Sequence, residues 1–158
     1  MKEVQQEVPS NMVVLRLMAY CYYESGDMTT GMQTIETYFS KQSPDKVIAR
    51  DYDYYGKFYQ KGGKDSLAAE MFKKAFALDT NNCDMAGEVG TIYAKLKKHA
   101  EAAIWFEKRI KCGKKIVAND YYFLGRSLYY TKQYVKADSA FSSYVKTQPA
   151  IPFGYIWR

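Results

Sequence analysis

Residues 121–149 read YYFLGRSLYYTKQYVKADSAFSSYVKTQP. Tyr121, Leu124, Gly125 and Leu128 fall at i, i+3, i+4 and i+7, which is one face of a helix. Ala137, Phe141 and Tyr144 mark the face of a second helix, with the polar break Thr131-Lys132-Gln133 between the two and Pro149 as the stop. The stretch therefore predicts a helical hairpin. Its small residues, Gly125 and Ala137, sit where two backbones can cross closely. One hairpin cannot bury its own apolar face, so it needs neighbours.

The neighbours lie upstream. Tyr93 precedes Leu128 by 35 residues, Tyr59 precedes Tyr93 by 34, and Tyr22 precedes Tyr59 by 37. Small residues keep the same step, Ala19, Gly56, Gly90 and Gly125 in the first helices and Gly31, Ala68, Ala102 and Ala137 in the second. The large residues four positions later are Ile35, Phe72, Phe106 and Phe141. A small–large pattern repeating near every 34 residues resembles the tetratricopeptide repeat (TPR), and the resemblance covers roughly residues 12–149. It implies an all-α, right-handed α-solenoid of four antiparallel helical hairpins. The first helix of each hairpin would line the concave side, where such proteins hold extended peptides or partner helices without catalysis. One departure is Arg109, which stands where the family usually has a small residue; the expectation is a looser crossing there, or a stem that packs while its head reaches solvent.

In chain order, Ser10 or Asn11 is a candidate cap for the first helix, and Ser25-Gly26-Asp27 is a turn. Pro44 breaks the chain after the second helix. Tyr52, Tyr55, Gly56 and Tyr59 read as the inward face of the third helix, and Gly62-Gly63 as its end. The turn at Lys97-Lys98-His99 has no glycine. The expected organisation is a single TPR-like domain over 1–158, with repeats at about 12–45, 49–82, 83–117 and 118–149. Residues 150–158, AIPFGYIWR, read as the start of a further repeat, with a capping tail as the alternative. Solenoids normally end in a polar cap rather than a Tyr-Ile-Trp cluster, so the sequence is expected to be cut from a longer repeat protein.

Composition narrows the function. Apolar residues make up 47% and charged residues 25%, which argues against disorder. The longest near-apolar run, 12–23, is interrupted by Arg16 and too short to span a bilayer, so no transmembrane segment is expected. Cys21, Cys83 and Cys112 form no C-x-x-C pair and are odd in number, and they read as free thiols, Cys21 buried and the others near helix ends. With His99 the only histidine, neither a metal site nor a His-based dyad finds its ligands or partners. Gly62-Gly63 lacks the flanks of a phosphate loop. No cofactor is expected, and the chain reads as a non-enzyme.

The predicted site is a groove along the first helices. Its residues are Arg16, Tyr20 and Tyr23, then Arg50, Lys57 and Lys61, then Lys95, and finally Tyr122, Arg126, Tyr129 and Tyr130, with Asp53, Gln60, Asp84 and Thr91 beside them. Arg and Lys for charge and Tyr for packing suit an extended, acidic protein or peptide segment. The Asn residues that the carboxylate-clamp TPR subgroup pairs with its Lys are absent, so a chaperone C-terminus is not the expected ligand. The alternative is a structural spacer or self-association segment of a larger protein. Nucleic acid is a lesser reading: Lys and Arg total 23, but many of the tyrosines hold repeat core positions. Compartment stays open. The C-terminal run resembles bacterial cell-envelope TPR proteins and so leans to the periplasm, whereas three unpaired Cys lean to a reducing compartment.

Overall fold

The computed structural model describes residues 11–113 and 117–147. Among them stand eight α-helices and no strand: α1 (Met12–Ser25), α2 (Met28–Lys41), α3 (Ala49–Lys61), α4 (Asp65–Leu78), α5 (Cys83–Lys95), α6 (His99–Cys112), α7 (Ala118–Tyr130) and α8 (Tyr134–Thr147). A 3-10 turn at Pro44–Lys46 follows α2, where Pro44 stops the helix. The chain divides into two compact units, Met1–Leu78 and Asp79–Arg158, each holding two hairpins. Pro149 and the Tyr155-Ile156-Trp157 cluster lie outside the described residues.

Each hairpin closes on the small–large pairs of its sequence. The Phe72 ring lies on Gly56, Phe106 on Gly90 and Phe141 on Gly125; a methyl group at those glycines would fall 2.7, 3.0 and 2.8 Å from ring carbon. In the first hairpin Ala19 and Ile35, both 0% exposed, hold the same places. Between the hairpins of the first unit, Gly31 receives the Phe58 ring. Ala19, Tyr20, Ile35, Tyr54 and Phe58 make one core cluster. In the second unit Ala102, Ala103, Phe106, Leu124, Leu128, Ala137 and Ala140 make another. Local chemistry sets the ends. Asn11 caps α1 by accepting from Val13 N (2.9 Å), Asp27 caps α2 by accepting from Thr30 N (3.0 Å), and Gly26 closes α1 at φ +87°.

Three expectations are corrected. The buried residues of α3 are Asp51, Tyr54, Gly56 and Phe58, while Tyr52, Tyr55 and Tyr59 are half-buried. The reason is a ladder in which Phe39 stacks on Tyr55 (4.8 Å) and Tyr55 on Tyr59 (4.6 Å), leaving the deeper seat to Phe58, whose ring lies on Gly31. Cys83 and Cys112 are not free thiols but a disulfide, with Cα atoms 5.5 Å apart. Cys83 opens α5 and Cys112 ends α6, and an antiparallel hairpin brings those ends together. Cys21 is exposed, not buried.

Candidate functional site

In the first unit a buried carboxylate organises the ends of three helices. Asp51, at the third position of α3, is 0% exposed and accepts from its own cap, Ile48 N, at 2.9 Å. The Tyr20 hydroxyl donates to its Oδ1, and the Tyr38 hydroxyl donates to its Oδ2 at 2.8 Å. Arg16 Nη2 lies 3.2 Å from Oδ2 and also donates to Tyr38 Oη (2.6 Å) and to the Lys46 carbonyl (3.1 Å). A buried carboxylate persists only when paired and hydrogen-bonded, and these partners supply both. Burial and the bond to Asp51 hold the Tyr20 hydroxyl far above its ordinary range. Burial likewise raises Tyr38. Burial by itself would lower Arg16, but the bond to Tyr38 and the Asp51 charge outweigh it and raise it.

Consequently Arg16 and Tyr20 serve inside the molecule. The Tyr20 ring is stacked on Tyr54 (4.1 Å), and Tyr23 meets Tyr54 and Phe58 edge-on. Burial and a bond to Glu24 push the Tyr54 hydroxyl up to about 12. Lys57 is half-buried, 2.9 Å from Asp53 Oδ2, with its ammonium 4.8 Å from the Tyr54 ring centre. Arg50 and Lys61 are exposed, the Arg50 guanidinium standing 5.9 Å from the centre of the Tyr20 ring. The first unit thus offers Arg50 and Lys61 outright, Lys57 in competition with Asp53, and Tyr23 by one edge.

The second unit repeats the carboxylate device. Asp120, third in α7, accepts from Val117 N (3.1 Å) and lies 3.5 Å from Arg109 Nε. Arg109 Nη1 reaches Asp84 at 2.9 Å, and the Arg109 stem runs past Gly87. The head of Arg109 therefore bridges two carboxylates rather than reaching open solvent, and Gly87 makes room for its stem.

Beside this, Thr91, Ala94, Lys95, His99, Phe123, Arg126 and Ser127 line a depression of about 200 Å³. Its floor is apolar, from Ala94 and Phe123, and Lys95, His99 and Arg126 supply nitrogen around it. His99 is stacked on Tyr130 at 4.3 Å, and the Arg126 guanidinium lies 6.0 Å from that ring's centre. Tyr122 approaches Phe123 and Tyr144, and Tyr129 approaches Tyr130 and Tyr134. The fold brings Lys95, Arg126 and Tyr130 together here, with Tyr122 and Tyr129 on the same helix. His99 was missed as a site residue; the signal was its place in the glycine-free turn Lys97-Lys98-His99, one repeat before Tyr130. Such an arrangement can hold an apolar side chain and a carboxylate. Among the described residues there is no metal-binding group of three or more His, Cys, Asp or Glu, and no helix is long and apolar enough to cross a membrane.

No protein-family model matches the sequence, and no curated protein matches it. Solved structures do. The chain is similar to the C-terminal part of a TPR repeat-containing protein from Cytophaga hutchinsonii, at 36% identity and a TM-score of 0.74, over 94% of this chain and 57% of that one. It thus spans little more than half of that structure's length. MamA is similar at 18% identity and a TM-score of 0.75, over 89% of this chain and 80% of that one. YrrB, described as a TPR protein with an unusual peptide-binding site, is similar at 16% identity and a TM-score of 0.74, over 89% of this chain and 71% of that one. At such identities the last two likenesses speak for the fold alone. The eight helices of the described residues, paired in small–large hairpins, thus have the all-α fold of these tetratricopeptide-repeat structures.

Proposed function

We propose that the chain is a non-catalytic protein-interaction module that holds an extended, acidic segment of a partner protein along its first helices. The observation that carries this reading is the depression in the second unit, where an apolar floor of Ala94 and Phe123 lies beside Lys95 and Arg126. A carboxylate with a flanking apolar side chain meets both needs there. Within the first unit, Arg50, Lys57 and Lys61, with the edge of Tyr23, offer the same chemistry. Tyr122, Tyr129 and Tyr130 add exposed or partly exposed rings, which bury much area at little conformational cost. The peptide-binding site named for YrrB agrees with this use of the fold. The Cys83–Cys112 disulfide favours an oxidising compartment, in line with the envelope resemblance.

Selection from a displayed library of random twelve-residue peptides tests the proposal. Peptides rich in Asp and Glu should be enriched by the native chain. Replacing Arg50, Lys57 and Arg126 together by Glu should abolish that enrichment while the helical circular dichroism stays unchanged. Enrichment of neutral or basic peptides, or full retention by the triple variant, would refute it.

A further inference from the structure

The turns of the second unit break a rule that those of the first keep. Between α3 and α4, Gly63 holds φ +71°, with its N–H on Gln60 O (3.1 Å) and the next N–H, of Lys64, on Tyr59 O (2.9 Å). Between α5 and α6 the same turn is made by Lys97 at φ +59°, with Lys97 N on Ala94 O (3.1 Å) and Lys98 N on Tyr93 O (2.8 Å). Between α7 and α8 it is made by Lys132 at φ +62°, with Lys132 N on Tyr129 O (3.0 Å) and Gln133 N on Leu128 O (2.9 Å). Lysine is disfavoured in the left-handed region, and it lacks the short polar side chain that lets Asn or Asp sit there. Glycine would serve the backbone better at both positions. Strain held at an exposed turn points to a use for the side chain.

These two turns are neighbours, because His99 at the start of α6 stacks on Tyr130 at the end of α7. Lys95, Lys97, Lys98, Arg126, Lys132 and Lys136 are all exposed on or beside them, and the acidic residues nearest the two turns along the chain are Glu101 and Asp138. Tyr129, Tyr130 and Tyr134 are each more than half exposed, and Val135 is 84% exposed. An apolar side chain standing that far out has no concavity of its own protein around it. The edge therefore projects, and what fits it is broad, anionic and able to take in a valine and phenol rings.

We propose that the turn edge of the second unit docks on the surface of an anionic lipid bilayer. Tyrosine favours the water–lipid boundary, where its ring is buried and its hydroxyl stays wet. Lysine stems lie along the apolar layer while their ammonium groups reach lipid phosphates, and each lysine adds attraction to a negative leaflet. Val135 enters at headgroup depth. The edge adjoins the proposed peptide site and shares Lys95, Arg126, Tyr129 and Tyr130 with it, whereas Lys97 and Lys132 do not line the depression beside Phe123 and belong to the edge alone.

Co-sedimentation of the whole chain with vesicles tests this. Vesicles of phosphatidylcholine with phosphatidylglycerol should retain it, vesicles of phosphatidylcholine alone should not, and added salt should weaken retention. The double substitution Lys97→Gly and Lys132→Gly should melt higher than the parent yet bind anionic vesicles more weakly, by about fivefold for each lysine. Val135→Asp should lower retention and leave the melting temperature alone. Equal retention on both vesicle types, or undiminished binding by the double glycine variant, overturns the proposal. So does a parent that ignores both vesicles but binds polyglutamate or RNA through Lys97 and Lys132, because the edge then serves a macromolecule.

Discussion

Gly56 and Gly87 are both interior helical glycines, and they should answer alanine in opposite directions. An exposed helical Gly→Ala change ordinarily stabilises by about 0.5–1 kcal/mol, by reducing the freedom of the unfolded chain. At Gly87 a new methyl would meet nothing nearer than Arg109 Cδ at 3.6 Å, an ordinary contact, so the full gain is expected. At Gly56 it would fall 2.7 Å from Phe72 Cε1, and Phe72, 1% exposed, has no space to swing into. Overpacking typically costs about 1–3 kcal/mol, so the sign should reverse. Denaturant melts of the two variants check this, and a stabilised Gly56→Ala would mean that the hairpin does not close on its Phe–Gly contact. The same two glycines show what the sequence made legible. The step from Gly56 to Gly90 to Gly125, with its phenylalanines, announced the crossings. Gly87 announced nothing, because its meaning depends on Arg109, whose two carboxylate partners belong to α5 and α7.

A helix hides its polar logic better than its apolar face. The period of the small and large residues located the helices, and the polar breaks at Ser25-Gly26-Asp27 and Thr131-Lys132-Gln133 marked turns that the structure contains. Asp51 gave no such sign, since one carboxylate among many charged residues reads as solvated. Its partners lie 31 and 13 residues away, and only the packed hairpins bring the Tyr20 and Tyr38 hydroxyls to it. Arg16 and Tyr20 were assigned to the groove for the same reason: periodicity gives the face a residue occupies, not the partner that turns its head inward. The cysteine pair could have been read, because Cys83 and Cys112 fall at the two ends that an antiparallel hairpin joins. Closing a loop over a separation of 29 residues should stabilise the second unit by about 3.6 kcal/mol. Cys112→Ser should lower the melting temperature of its helices, and reductant should do the same to the native chain but nothing more to the variant. A native melt indifferent to reductant would contradict the bridge.

Repeat chains gain stability unit by unit, from each hairpin and its nearest neighbours, so a local perturbation can act on one part of the molecule. The four tyrosines whose hydroxyls are raised, Tyr20, Tyr38, Tyr54 and Tyr55, all belong to the first unit. Burial is the leading cause in each case, reinforced by bonds to Asp51, Glu24 or Tyr59. The consequence for pH has a definite sign. Below the ordinary tyrosine value of about 10, folded and unfolded chains both keep these protons, and the stability of the first unit is fully present. Above it the unfolded chain releases them while the folded unit retains them. The native state then binds more protons, and stability falls as pH rises, from about 10 through the Tyr54 value of about 12 and beyond. The first unit should therefore unfold in alkali, with its buried tyrosines ionising only as it opens. Ultraviolet absorbance of tyrosinate should show a late phase coincident with loss of helical circular dichroism. Tyr20→Phe should keep the stacking on Tyr54 and remove one proton from the late phase. It should also leave Asp51 short of a donor, so that the variant is less stable at neutral pH and loses less on going to alkali. A phenol titration with no phase that coincides with unfolding would show that these four hydroxyls are open to water.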